Sequence, residues 1–350
     1  MNLMKVNRIV LFQLLFIGFL LINSRQQTQA ANTYPGSITN YRPTFLPVLD
    51  QQERLHLVIR LFNQNRELHA LLVDPYSLAT SRAKFSTLKL RKSAASKNLP
   101  GYFSWKEIED TPYMRLIRHC TSTPNLLQND GIKHALGSVN GFFLTVDMCP
   151  SSNPFEKEFF HKLANLMPNS APFEVGISMS GLWMLGHPQE FAWLCEQHSQ
   201  GRLRITWINH TFRHLYFKDL PLEKNFMRFN PIMMDTLANS LFIEASLQDE
   251  ELIAEQLLLE HGQLPSVFFR FPGLVSDKAL IRCLGNLGLI PLGVDAWLAK
   301  GEIPQPGSII LVHGNGNEKP GITKMMAWLD KKDVRWLPLS YLAHDRKGFP

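Results

Sequence analysis

The second half of the chain alternates between short apolar runs and segments of helical periodicity. From Val139 onward, GFFLTVD (residues 141–147) predicts a strand that stops at the polar cluster MCPSSNP. Phe155–Leu166 predicts a helix, with Asn153 as its cap and Pro154 in its first turn. Phe173–Met179 is a second strand, Gln189–Gln197 a second helix, and Arg204–Ile208 a third strand that stops at Asn209-His210. After an irregular part, Asp249–Glu260 is a strongly amphipathic helix stopped by Gly262. Ser266–Arg270 is a strand, Ser276-Asp277 caps a helix over Lys278–Leu287, and Ser308–Val312 is a strand ending at His313. Ile322–Lys331 and Val334–Leu339 close the chain as helix and strand. This alternation argues an α/β fold, either a mostly parallel sheet or a βα barrel. In either case functional groups gather at the C-terminal ends of the strands.

The first part reads differently. Residues 31–46, with Pro35, Pro43 and Pro47 nearby, read as an extended lead-in. Leu55–Asp74 reads as a hairpin, HLVIRLF and LHALLVD around the polar Asn63-Gln64-Asn65-Arg66. Ser81–Asn98, rich in Lys, Ser and Ala, reads as a surface loop, and the chain up to Ser138 is weakly patterned. The expected organisation is a signal peptide over 1–30, an N-terminal extension over 31–137 and the α/β domain over 138–350.

Composition fits a globular protein: 350 residues, 45% hydrophobic and 19% charged, enough for a sizeable core. The signal segment has Lys5 and Arg8 before the apolar run Ile9–Ile22, then Thr28-Gln29-Ala30 at a small-residue cleavage end. Fourteen mostly apolar residues fall short of the ~20 needed to span a bilayer, so a cleaved leader and a secreted or periplasmic protein are expected. Membrane attachment would come only through that segment, left uncleaved. Removing Lys5, Arg8 and Arg25 lowers the formal charge of +6 to about +3. Without dense Lys/Arg runs, no nucleic-acid partner is expected. Cys120, Cys149, Cys195 and Cys283 contain no C-x-x-C; two disulfides and buried free thiols are both consistent with them.

Four strand ends carry residues able to do chemistry: Asp147, the His210/His214 pair, Arg270 and His313. Singly, each has an ordinary structural role. Four at the same end of successive strands are harder to assign to packing.

At these positions the chain resembles the polysaccharide deacetylase (NodB-homology, carbohydrate esterase family 4) proteins. LTVDMCP is similar to the family's T-F-D-D motif, NHTFRH to H-[ST]-x-x-H, FFRFPG to R-x-P and PGSIILVHG to L-x-H. GVDAW is a looser match to D-x-x-D-W, and the resemblance covers about residues 138–342. It implies a distorted (β/α) barrel with a groove for a glycan: peptidoglycan, a chitin-like chain or an exopolysaccharide. The implied reaction is hydrolytic removal of N- or O-acetyl groups, assisted by a divalent metal, with zinc the expected ion. By the same resemblance Asp147 is the base, His313 the acid, and His210 and His214 metal ligands. Arg270 would hold Asp147 ionised, and Asp295 would raise the pKa of His313. Leu311 would line the pocket for the acetyl methyl. Trp297 and Pro272 would contact the sugar chain, Trp297 as a stacking wall.

One motif position departs. Where the family has a second, metal-binding Asp, this chain has Met148, a soft and neutral ligand, followed by Cys149. Three outcomes are open. The histidines and waters hold the ion; Cys149 turns inward as a thiolate, against which stands its one-residue shift along the strand; or metal and turnover are lost and the groove only binds glycan. If position 148 faces the ion, Met148→Asp should raise metal affinity.

Overall fold

The first described elements form an antiparallel sheet: β1 (Ile38–Leu49), β2 (Leu55–Gln64), β3 (Glu67–Val73), β4 (Thr80–Lys84) and β5 (Lys89–Leu90), in the order β4-β3-β2-β1-β5. The computed structural model describes residues 37–93, 102–103, 105–166, 172–225, 237–331 and 333–343. The expected signal segment lies outside these residues, as does the end of the loop expected over Ser81–Asn98. The β2–β3 hairpin forms as expected. Its two-residue turn, Asn65-Arg66, has φ of 53° and 66°, the handedness that matches the twist of paired strands.

Two expectations are corrected here. The lead-in is largely a strand, β1. Its prolines are accommodated because β1 is an edge over most of its length, meeting β5 only at Val48 and Leu49, and its register with β2 slips after Pro43. Ser81–Lys84 likewise belongs to β4 rather than to a loop. A short parallel pair, β6 (Lys92–Ser93) and β7 (Tyr102–Phe103), and two helices, α1 (Trp105–Glu109) and α2 (Pro112–Ser122), follow.

The second half is the expected alternation, except that the helix expected from Asp249 already begins at Leu237, inside the stretch expected to be irregular. It runs β8 (Phe143–Met148), α3 (Lys157–Leu166), β9 (Phe173–Met179), α4 (Gly181–Gly186), α5 (Pro188–Ser199), β10 (Leu203–Asn209), α6 (Leu237–Glu260), β11 (Pro265–Phe269), α7 (Lys278–Asn286), β12 (Ile290–Pro291), β13 (Ala296–Trp297), β14 (Ile309–His313) and α8 (Lys319–Leu329). Asp277 caps α7 by accepting from Leu280 N–H, as its sequence predicts. Asn153 does not cap α3; it bonds instead to Gly316 and Asn317. Val334–Leu339 is not a strand. It makes one bridge, Trp336 to Phe142, and passes into a 3-10 turn at Leu339–Ala343.

The seven strands form one curled sheet, β12-β11-β10-β9-β8-β14-β13, parallel at every pairing: the expected barrel as a half-barrel. Between its two edges runs a segment of the expected N-terminal extension. Ile132 bonds both ways to β12 and its exit, Lys133 O accepts from Ile309 N–H at the start of β14, and Ala135 N–H donates to Gly307 O just ahead of that strand. Residues 35–350 form one compact unit.

Period-2 alternation divides β8 between two cores. Leu144, Val146 and Met148 pack outward among α3, α5 and α8, while Phe143 packs inward with Leu311, Ile309 and residues of β2 and α2. A buried pair ties the N-terminal sheet to α6: Arg60 of β2 binds both carboxylate oxygens of Glu255, at 2.7 and 2.9 Å.

Candidate active site

Strand register sets the site. His313, Asp147 and Ser178 are partners across β14, β8 and β9, so their side chains share the inner face at the C-terminal end of the sheet. Arg270 follows β11 and is fully buried. Its Nη1 donates to Asp147 Oδ1 at 2.7 Å and to Thr145 Oγ1 at 2.9 Å. Burial alone would raise the pKa of Asp147, but Arg270, His210 and His313 outweigh it and hold the carboxyl at about 2.

His210 and His214 meet, though not on a helix. Thr211 and His214 have φ of 64° and 54°, so the loop turns through the left-handed region and the four-residue spacing is not that of a helical turn. The imidazole rings lie 4.6 Å apart. His210 Nδ1 faces the carbonyl oxygen of Arg270 at 2.7 Å. Since a carbonyl only accepts, Nδ1 carries the proton and Nε2 is free to ligate, the usual support of a metal-binding histidine. That Nε2 lies 3.6 Å from Cys149 Sγ.

Cys149 is therefore turned inward, and Met148 is not near the ligands. Asp147 points in, Met148 out and Cys149 in again, because side chains alternate along the strand and its exit. Met148 is fully buried in the outer core, so close to Gly314 that a Cβ there would stand 2.8 Å from its Sδ. The expectation for Met148→Asp is reversed. It should gain no metal affinity and should cost about 3–5 kcal/mol, the cost of an uncompensated buried charge. Met148→Leu should cost under about 1.5 kcal/mol. Denaturant unfolding of both variants checks this.

The backbone of this strand exit is held at each residue. Gly314 N–H donates to Asp147 O, Ser180 Oγ to Met148 O and Asn315 Nδ2 to Cys149 O, at 3.1, 2.8 and 2.7 Å. The ligand atoms of Cys149, His210 and His214 all lie within 4.8 Å of one another. His214 Nε2 is buried without a hydrogen-bond partner, as is Ser178 Oγ on the same face. A soft thiolate and two imidazoles, one of them with an orphaned ring nitrogen, fit a zinc ion. Burial would raise the Cys149 thiol, but His214, His210 and His313 hold it well below the usual range. Cys120 and Cys195, without such neighbours, are pushed up to about 12 by burial. Among the described residues no disulfide joins the four cysteines.

His313 has a different carboxylate partner from the one expected. Asp295 contacts His134, Ser308 and Ile309, at the start of β14, about 13 Å along the strand from His313 at its end. Its expected role is corrected: it fastens the segment between the sheet edges. Glu318 Oε2 lies 2.8 Å from His313 Nδ1, a close ion pair off the line of a good hydrogen bond. Burial opposes the imidazolium, but Cys149 and Glu318 raise the His313 pKa well above its usual value. Glu318 reaches back because the chain turns tightly through GNGN, where Gly316 has φ of 76°. It is also the only carboxylate between His313 and Asp330, a signal the sequence did carry.

Trp297 Nε1 donates to the same Glu318 oxygen at 2.7 Å, and Lys300 Nζ stands 3.6 Å over its ring. Lys300 occupies one ring face, and the indole N–H supports Glu318. Leu311 is buried two residues below His313 on the same face. Pro272 is buried in a 3-10 turn with Gly273, against which the Tyr216 ring packs so closely that a Cβ would stand 2.2 Å away.

Residues 39–114 match the family model described as the RP012 protein N-terminal domain. Among solved structures, the chain is similar to a peptidoglycan N-acetylglucosamine deacetylase, 14% identical over 60% of this chain and 91% of that one, with a TM-score of 0.42. It is similar to the chitin deacetylase of the fungal pathogen Colletotrichum lindemuthianum, 14% identical over 63% and 94%, TM-score 0.42. It is also similar to a CE4 family pseudoenzyme from Bacillus anthracis, 10% identical over 89% and 91%, TM-score 0.42.

Proposed function

We propose that this protein is a zinc-dependent hydrolase that removes acetyl groups from a polysaccharide of the cell envelope or its surroundings. The observation that supports it most is the convergence of Cys149, His210 and His214 beside the Asp147–Arg270 pair and the His313–Glu318 pair. Cys149, His210 and His214 would hold the ion. When bound, zinc supplies Lewis-acid polarisation of the acyl carbonyl and a lowered pKa for water.

The chain's own groups supply the proton transfers. Asp147, ionised, accepts the proton of the attacking water, and Arg270 keeps it ionised and oriented. His313, whose charged form Cys149 and Glu318 favour, donates its proton to the departing amine or alkoxide. Glu318 and Trp297 hold His313 in place. The substrate is peptidoglycan, a chitin-like chain or an exopolysaccharide, reached after export through the segment over 1–30.

Acetate release from acetylated chito-oligomers and peptidoglycan, with zinc analysis of the same protein, tests the reading. Zinc with acetate release is expected. Glycan binding with neither zinc nor acetate would identify a binding module instead.

The pH dependence follows from signs. A raised His313 pKa keeps the acid form to higher pH, so activity should fall only above the ordinary imidazole range. With Asp147 held at about 2, the base stays ionised through mildly acid pH. Glu318→Gln removes a partner that favours the imidazolium, so the alkaline limb should move to lower pH. A kcat/KM profile reads the shift.

A further inference from the structure

We infer that Glu250 is a positioning residue: its buried carboxylate clamps Arg213 and so fixes where His214 stands in the metal site. The inference rests on the zinc reading above. The loop from His210 to His214 passes twice through left-handed backbone, at Thr211 and His214, neither of them glycine. Such conformations persist only where the surroundings impose them.

Gly181 N–H and Leu182 N–H donate to the Thr211 and Phe212 carbonyls at 3.0 and 2.8 Å, and three side-chain ties act on the residues around them. Asn209 Oδ1 accepts from Thr211 N–H at 3.0 Å, while Asn209 Nδ2 donates to Glu251 O at 3.0 Å. Thr211 Oγ1 accepts from His214 N–H at 3.0 Å. Glu250 Oε2 accepts from Arg213 N–H at 2.7 Å, and its Oε1 takes Arg213 Nε. Glu250 is only 2% exposed, whereas the Arg213 side chain is 44% exposed. The buried partner thus restrains the backbone next to His214 from a helix some distance away in sequence.

The same helix, α6, is held at Glu255 by Arg60. The N-terminal sheet therefore braces the element from which the clamp extends. His210 is held separately, through its Nδ1 and the Arg270 carbonyl. Loosening the clamp should disturb one ligand of the three.

Two variants separate position from charge. Glu250→Asp keeps the carboxylate but shortens its reach to Arg213 N–H. Glu250→Gln loses the charge but keeps an acceptor oxygen at the same reach. Zinc affinity, measured by chelator competition, should fall about 10–100-fold in Glu250→Asp and stay within about threefold in Glu250→Gln. The cobalt(II) absorption spectrum should change in the first variant alone. In metal-free protein, the Arg213 and His214 amides should exchange hydrogen faster in Glu250→Asp. Wild-type affinity and spectrum in Glu250→Asp would overturn the inference, as would the reverse pattern in the two variants. A wild-type protein that binds no zinc would instead overturn the metal reading. Amide exchange then decides the clamp on its own, and unchanged exchange in Glu250→Asp overturns it.

Discussion

Cys149→Ser is expected to lower zinc affinity about a hundredfold or more, and acetate release with it, while the protein stays folded. Outer-shell partners of metal ligands are worth about 10–100-fold in affinity, and a direct ligand should exceed that. Serine fits the space of the thiol, but its hydroxyl is neutral at working pH and a poor zinc ligand. Sγ lies 3.6 Å from His210 Nε2, and His210 keeps its Nδ1 bond to the Arg270 carbonyl, so the substitution removes no strong hydrogen bond. Chelator competition and thermal unfolding, measured together, separate the two effects. Unchanged zinc affinity in the folded variant would remove Cys149 from the ligand set and return the site to two histidines.

Asp147→Asn should lower kcat by about 10²–10⁴, the usual worth of a general base. The amide keeps an oxygen for Arg270 Nη1, so the buried guanidinium retains a partner and the fold should survive. Zinc should stay bound, because Asp147 lies outside the proposed ligand set; its Oδ2 is 3.8 Å from His210 Nε2. The expected pattern is therefore lost turnover with metal retained, the inverse of a ligand substitution. Metal lost in proportion to activity would instead make Asp147 a ligand.

Much of this was legible in the sequence, for physical reasons. Apolar runs marked β8, β9, β10 and β14 to within a residue or two, because β8, β9 and β14 are almost wholly buried and β10 exposes only Arg204. The rule that strand ends carry function brought Asp147, His210, His214, Arg270 and His313 into one place, and the structure does bring them together. Motif position hides Cys149 and strand period reveals it: the alternation that turns Asp147 inward also turns Met148 out and Cys149 in. Asp295 was misassigned because a compressed motif does not say which end of β14 it reaches. Prolines hid β1, since an edge strand tolerates what a central strand does not. Glu250 left no local signal. Its partner comes from another element, and only tertiary packing joins them.

X-ray absorption at the zinc edge of the purified wild-type protein tests the central claim most directly. The prediction is bound zinc with one sulfur at about 2.3 Å and nitrogen or oxygen neighbours at about 2.0–2.2 Å, the sulfur vanishing in Cys149→Ser. A first shell of nitrogen and oxygen alone, or no zinc at all, would contradict it.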